Sequence, residues 1–247
     1  MTLTYIARMG GKFRLRKKIV SMMPRDYETY VEPFLGGGQV FLELEKERKK
    51  KYVLNDKNKD IYHLWKDLQT ISPDVVRSFV FPQSKSLFDR LKQKTDIQDP
   101  TERLYRNLYL SLFSFSNNRI AFAKKNKTKG KHILQNIDVL QEKLKGVRIY
   151  NKDYQDIVQK YNHSDTFFYL DPPYTKMEKY YQGQSIDPYE LAQVCRGIKG
   201  RFLLSYDISP NVKDAFQGFY FHRVRLPYTS GLKSKTKYEY IITNYKL

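Results

Sequence analysis

The chain has 247 residues, and its 45 lysines and arginines against 26 aspartates and glutamates give a formal net charge of +19 at pH 7. Hydrophobic residues make up 40% of the sequence and aromatic residues 15%, which excludes a disordered chain. The single cysteine, Cys195, excludes an internal disulfide and a cysteine-based zinc site.

No segment predicts a membrane span or a secretory leader. The longest stretch without a charged residue, 107–118, is shorter than the roughly 20 apolar residues that cross a bilayer. Basic residues interrupt any apolar segment near the N-terminus. We therefore expect a soluble, intracellular protein, built as one large domain or as a core domain with a smaller insert.

The positive charge predicts a polyanionic partner, because phosphate contacts release condensed counterions. The 21 tyrosines can also stack on unpaired bases, so the two features together favour nucleic acid. The alternatives are a basic surface that serves solubility alone and binding to an anionic membrane. No basic helix with a broad apolar face supports the membrane alternative.

The first part of the chain, 1–66, predicts helix, strand, turn, helix, strand and helix in that order. Its strands are expected at 30–35 and 52–55, with a glycine turn at 36–38. The polar run 45–51 is expected to end the helix between the two strands as a solvated terminus. Residues 67–146 favour helices.

Strands and helices alternate again from residue 147. The predicted strands are 147–150, 166–170 and 202–206, the predicted helices are 154–161 and 191–198, and a terminal hairpin is expected from 219–224 and 238–244. Strands that alternate with helices are typical of a parallel sheet with crossovers. The sequence therefore predicts an α/β domain with a helical insert.

The first motif with chemical meaning is a strand that runs into Gly36, Gly37 and Gly38 and then into a helix. This arrangement brings backbone close to a nucleotide at the carboxyl edge of a sheet. A dinucleotide fingerprint would need a further glycine where Phe41 stands, so a nucleoside ligand without phosphates fits better. A plain tight turn is the alternative.

Asp56 follows Gly36 by 20 residues and ends the second predicted strand. At this spacing in a βαβ unit, a carboxylate can accept hydrogen bonds from ribose hydroxyls. Asp56 is also placed to cap the helix predicted at 57–68, and both roles are compatible.

The most specific motif is Asp171-Pro172-Pro173-Tyr174 at the end of an apolar strand. The two prolines fix φ and leave only carbonyl acceptors. A carboxylate and a carbonyl can accept both hydrogens of an exocyclic amine, while Tyr174 stacks on the base that carries it. The alternative is a rigid connection with an exposed tyrosine.

These motifs, in this order, resemble the Dam-type family of S-adenosylmethionine-dependent adenine-N6 DNA methyltransferases, in the arrangement with the cofactor half first. Further matching segments are 10–12, 54–56, 152–154, 203–206 and 239–245. The likeness spans 7–66 and 147–246 and is thin across 70–146. It implies a Rossmann-like methyltransferase sheet with a C-terminal β-hairpin, formed by 1–66 and 147–247, and a helical target-recognition insert at 67–146.

The resemblance also implies the reaction, which is transfer of a methyl group from S-adenosylmethionine to an adenine flipped out of duplex DNA. Asp171, Pro172, Pro173 and Tyr174 are then catalytic. The implied cofactor contacts are Arg8, Lys12, Phe34, Gly36, Gly38, Asp56, Asp153, Tyr154 and Asp171. Asp153 could equally serve as a helix N-cap.

Arg8 departs from the family pattern, which has an aromatic residue at this position. Either its planar guanidinium replaces the ring, or Tyr5 or Phe13 does. No metal is expected, because His63, His132, His163 and His222 are scattered along the chain.

Direct readout of a duplex needs donors and acceptors at base edges. The candidates in the insert are Arg119, Lys124, Lys125, Asn126, Lys129 and Lys131. Arg119 is favoured for a base contact, and nonspecific phosphate contact is favoured for most of the lysines.

Two kinds of alternative function remain at this stage. The enzyme could methylate cytosine N4 or an RNA adenine, or the chain could be a catalytically idle DNA-binding subunit with the same fold. A restriction endonuclease is a possible partner, and a monomer or weak dimer is expected.

Overall fold

The computed structural model describes residues 12–114, 119, 121–123, 128–174, 186–226 and 237–247. Within these ranges the chain forms one seven-stranded sheet, with strand order β3-β2-β1-β4-β5-β7-β6. The strands are β1 Thr29–Glu32, β2 Lys51–Asn55, β3 Arg148–Tyr150, β4 Thr166–Leu170, β5 Arg201–Asp207, β6 Tyr220–Leu226 and β7 Lys237–Thr243. β1 to β5 are parallel, and β7 runs antiparallel between β5 and β6.

Helices connect the strands and cover both faces of the sheet. They are α1 Arg16–Ser21, α2 Gln39–Glu43, α3 Lys59–Thr70, α4 Pro73–Arg77, α5 Lys85–Gln93, α6 Pro100–Leu112, α7 Thr128–Gln135, α8 Ile137–Leu144, α9 Tyr154–Lys160, α10 Pro188–Arg196 and α11 Pro210–Ala215. The α/β class, the parallel sheet and the C-terminal hairpin are confirmed.

The central strand β4 shows why the core has two halves. Its sequence, Thr-Phe-Phe-Tyr-Leu, is buried at all five positions, as expected for a parallel strand covered on both faces. Because side chains alternate along a strand, Phe167 and Tyr169 enter one apolar cluster with α3, α6 and α8. Phe168 and Leu170 enter the other, with α9, α10 and α11.

The predicted insert shares the first of these clusters with the sheet. A partly buried ion pair also holds it to α3, because Nη2 of Arg103 on α6 lies 2.7 Å from Oδ1 of Asp67 on α3, and Nε lies 2.9 Å from Oδ2. The helices predicted for 67–146 are thus present in the described ranges. That they form a separate target-recognition domain stays a prediction.

The polar run 45–51 is not a helix terminus, and that prediction was wrong. α2 ends at Glu43, and Leu44 turns to extended backbone, where its side chain is buried in the core. The run then forms a turn in which the backbone N–H of Glu47 donates to the Tyr52 hydroxyl at 2.9 Å, and Lys51 already opens β2.

None of the helices in the described ranges combines the length and the apolar character that a membrane crossing requires.

Candidate active site

The carboxyl ends of the parallel strands bring a set of acidic side chains to one edge of the sheet. β1, β2, β4 and β5 all point the same way, so residues at or just after their ends share that edge. These residues are Glu32, Asp56, Asp171 and Asp207. The antiparallel strand β7 adds Glu239, which pairs in register with Asp207.

Asp171 is held through one of its two carboxylate oxygens. Its Oδ1 lies 2.6 Å from Nζ of Lys12 and accepts a hydrogen bond from Oγ of Ser205 at 2.9 Å. The side chain of Lys12 is 5% exposed and that of Asp171 19%. No hydrogen bond between described residues uses Oδ2 of Asp171. That oxygen is therefore available to accept a further donor.

Tyr174 lies beside this carboxylate and is buried, so the alternative of an exposed tyrosine is wrong. Its ring stacks on Tyr206 with centroids 5.1 Å apart, and the Lys12 ammonium lies 4.9 Å from the centroid. The hydroxyl is 3.4 Å from both Oδ1 of Asp171 and Oε2 of Glu239. Burial and these two acidic neighbours raise the pKa of Tyr174 well above its ordinary value.

Asp56 fixes the glycine turn. The backbone N–H of Gly36 donates to Oδ2 of Asp56 at 2.8 Å, and the Trp65 indole donates to the carbonyl of Gly36 at 3.0 Å. Gly36 and Gly38 both have positive φ, which suits glycine. The predicted N-cap role of Asp56 was wrong, because the helix begins later and Asn58 caps it.

The loop that follows β3 packs against the segment that contains the glycine turn. The rings of Phe34 and Tyr154 lie 5.1 Å apart. Asp153 caps α9 through the N–H of Gln155 and also lies 2.9 Å from Nζ of Lys57. The structure therefore brings the predicted positions 34, 36, 56, 153 and 154 to one region of the edge, and Asp153 does serve as an N-cap.

Sequence analysis missed three side chains of this site. Ser205 and Glu239 lie in matched segments, but their contacts with Asp171 and Tyr174 depend on how β5 and β7 pair. Glu32 is buried at the end of β1, where the Tyr30 hydroxyl donates to its Oε2 at 2.8 Å. Burial raises the pKa of Glu32 well above its ordinary value, the charges of Asp171 and Asp56 add to the rise, and the Tyr30 hydrogen bond opposes it.

Of the three residues that could replace the family's aromatic ring, the structure describes one. Arg8 and Tyr5 lie outside the described residues. Phe13 is 40% exposed, and the guanidinium of Arg16 lies 3.8 Å from the centroid of its ring.

Most of the predicted DNA contacts cannot be placed at side-chain level. Lys124, Lys125 and Asn126 lie outside the described residues, and Lys129 and Lys131 belong to α7, of whose side chains at these positions nothing is described. Arg119 is described. Its guanidinium donates to Ser111 Oγ at 3.0 Å and to Asn107 Oδ1 at 3.3 Å, and it lies 3.4 Å from Oδ2 of Asp60.

The chain also matches a known protein family. A model of the D12 class N6 adenine-specific DNA methyltransferase family matches residues 9–230. The chain belongs to this family. It is therefore an adenine-N6 DNA methyltransferase, and the alternatives of cytosine N4, RNA adenine and an idle subunit are set aside.

Two relatives and one solved structure illustrate the similarity. The type II methyltransferase M1.LlaDCHI of Lactococcus lactis subsp. cremoris is 26% identical over 96% of this chain and 93% of its own. The DNA adenine methylase of Salmonella typhi is 30% identical over 43% of this chain and 39% of its own. TrmN from Thermus thermophilus covers 93% of this chain and 47% of its own with 10% identity and a TM-score of 0.43, a likeness with no bearing on function.

The glycine turn allows a matched pair of stability tests. At Gly38, φ is +60° and an added Cβ would lie 2.5 Å from Cζ2 of Trp65, whereas at Gly36, φ is +48° and nothing lies within 4 Å. We expect Gly38→Ala to lower the free energy of unfolding by at least about 2 kcal/mol through strain and overpacking. Gly36→Ala should cost about 1 kcal/mol, from backbone strain alone. Urea unfolding of both variants measures this, and equal losses would contradict the packing of Trp65 on the turn.

Glu32 should make stability depend on pH. Because its pKa is higher in the folded protein than in the unfolded chain, the folded state holds an extra proton in the window between the two values. Stability from this group is therefore lost as pH rises from the unfolded pKa, about 4.3, through the raised folded pKa. Glu32→Gln removes that loss. The free energy of unfolding of the variant, relative to that of the wild type, should therefore increase as pH rises from 4 to 8. Glu28→Gln, at an exposed position, is the matched control. A difference that does not vary with pH would show that Glu32 does not hold this proton.

Proposed function

We propose that the enzyme takes its methyl group from S-adenosylmethionine bound at the carboxyl edge of the sheet, and that Asp171 and the carbonyl of Pro172 hold the adenine amine. The observation that supports the proposal is the carboxylate of Asp171, whose Oδ1 is anchored by Lys12 and Ser205 while its Oδ2 accepts no hydrogen bond from a described residue. The family implies the cofactor, while the residue roles are our proposal.

The residues at this edge fit the cofactor. Asp56 presents a carboxylate for the ribose hydroxyls beside the glycine turn, and the Phe34–Tyr154 ring pair offers an apolar surface for the adenine of the cofactor. The carboxylate of Asp171 suits a cationic ligand. Bound S-adenosylmethionine would supply an electrophilic methyl group on a positively charged sulfur.

Asp171 and Pro172 act on the target amine. Its nitrogen is a poor nucleophile because its lone pair is delocalised into the purine. Hydrogen bonds from its two hydrogens to Oδ2 and to the Pro172 carbonyl favour tetrahedral geometry and oppose the positive charge that grows on nitrogen during transfer. The rigid double proline keeps both acceptors in place. Oδ2 is also positioned to accept the proton that the methylated nitrogen must lose.

Lys12 contacts the same two groups as the proposed adenine. Its ammonium donates to Asp171 and lies over the ring of Tyr174. Stacking of adenine on that face of Tyr174 therefore requires the Lys12 ammonium to move away from the ring. The family resemblance implies that Lys12 contacts the cofactor, and we propose that the ammonium moves to that contact. Tyr206, Ser205 and Glu239 then keep Tyr174 and Asp171 in position.

The substrate is duplex DNA, whose adenine N6 is out of reach until the base is flipped into the Asp171–Tyr174 pocket. We propose that the insert at 67–146 selects the sequence. The type II designation belongs to the relatives, and a restriction endonuclease partner, a monomeric or weakly dimeric state, an intracellular location and the absence of a metal remain proposals for this chain.

Replacing Asp171 tests the proposed chemistry. Asp171→Ala removes one of the two acceptors for the amine, so methylation should fall at least ~100-fold, the scale of losing one preorganised electrostatic contact. Binding of duplex DNA should be retained. The measurement is single-turnover methyl transfer together with DNA affinity, and Asp156→Ala, an exposed carboxylate on α9, is the matched control. Turnover near the wild-type rate would rule out the mechanism.

Arg119 has contacts that favour a structural role over the base contact that the sequence suggested. Its side chain is 11% exposed, and Asn107, one of its acceptors, is fully buried. We expect Arg119→Ala to lower the free energy of unfolding by about 1–3 kcal/mol, since it removes charge-assisted hydrogen bonds to Asn107 and Ser111. Its loss of DNA affinity should be equal on matched and mismatched sites. A loss confined to the matched site would instead establish Arg119 as a base-reading residue.

A further inference from the structure

A second concave site lies at the opposite edge of the sheet, where the parallel strands begin. This amino-edge cleft has a volume of about 450 Å³ and is lined by Thr29, Lys51, Arg148, Lys160, Tyr161, His163, Ser164 and Asp165. β4 spans the distance between Asp165 and Asp171, about 17 Å for its five residues. The cleft is therefore separate from the proposed active site.

The amino-edge cleft carries an excess of positive charge. Lys51, Arg148 and Lys160 are exposed, and in the described part of the chain none of them forms an ion pair with a carboxylate. Asp165 is the one acidic residue in the lining. Three cations against one carboxylate suit an anionic ligand.

Neutral hydroxyl groups hold two of these cations in place. The hydroxyls of Tyr150 and Tyr161 are 2.9 Å apart, and Nζ of Lys160 donates to Tyr150 at 3.4 Å while lying 4.8 Å from its ring centroid. The interaction of Arg148 with the Tyr161 hydroxyl raises the pKa of Arg148. The hydrogen bond from Tyr161, with help from Lys160 and Arg148, lowers the pKa of Tyr150 although partial burial opposes this. The cations are thus oriented without being neutralised.

We propose that the amino-edge cleft binds a phosphate group of a DNA backbone, as a second contact outside the surface that receives the target adenine. The three cations supply the charge, and the exposed Ser164 supplies a hydroxyl donor. Because the two edges face away from each other, a short duplex that fills the active site does not reach the cleft. A second segment of DNA does, and so does a duplex of many persistence lengths, each about 150 base pairs, that folds back on the protein.

The salt dependence of DNA affinity tests this contact. Each phosphate contact contributes about 0.9 to the slope of log affinity against log salt concentration. We expect Lys160→Gln and, independently, Arg148→Gln to weaken binding of a long duplex of about 3,000 base pairs, roughly twenty persistence lengths, and to make its slope less steep by about 0.9. Both variants should bind and methylate a duplex of about 14 base pairs, roughly 48 Å long, as wild type does.

Lys213→Gln is the matched control, because Lys213 is also an exposed lysine in the last turn of a short helix. An unchanged slope on the long duplex would overturn the proposal, as would the same change in the Lys213 variant or an equal loss on the short duplex. Inorganic phosphate serves as a competitor. If it binds the cleft while long-duplex affinity does not depend on Arg148 and Lys160, the ligand is a small anion and not DNA. Methylation of the short duplex tests the proposed function independently of the cleft, because the short duplex contacts the active site alone.

Discussion

The fixed carboxylate of Asp171 is the constraint on which the site depends. It follows a strand that is buried on both faces between β1 and β5, and it precedes two prolines, so the backbone on either side has little freedom. Ser205 and Lys12 then hold the carboxylate through Oδ1, and Oδ2 accepts no hydrogen bond from the part of the chain that the structure describes. The proposed binding of the adenine amine depends on that second oxygen.

Charge is distributed unevenly over this protein. The chain as a whole is strongly basic, which draws it to DNA, whereas the carboxyl edge of the sheet collects Glu32, Asp56, Asp171 and Asp207. A local acidic site within a basic protein suits a reaction in which the donor is cationic and positive charge grows on the acceptor nitrogen. Placing several acidic groups together disfavours the charged form of the buried one. Burial and the neighbouring acidic groups raise the pKa of Glu32.

The sequence predicted well those elements whose structure is determined by residues close together in the chain. Buried apolar runs marked β2, β4 and β5 to within one or two residues, and the glycines marked the turn. The contacts it missed depend on distant segments. Asp56 was expected to cap a helix that in fact begins at Lys59 and is capped by Asn58, while Asp56 accepts a hydrogen bond from the Gly36 N–H. Ser205 and Glu239 meet Asp171 and Tyr174 only through strand pairing, and no spacing along the chain encodes the contact of Arg119 with Asn107.

A crystal structure with sinefungin and a duplex containing the target adenine would show which groups hold the amine. We expect N6 of an extruded adenine at about 3 Å from both Oδ2 of Asp171 and the carbonyl of Pro172, with Lys12 displaced from the ring of Tyr174. An adenine held by other side chains, or a cofactor analogue remote from Asp171, would contradict this expectation.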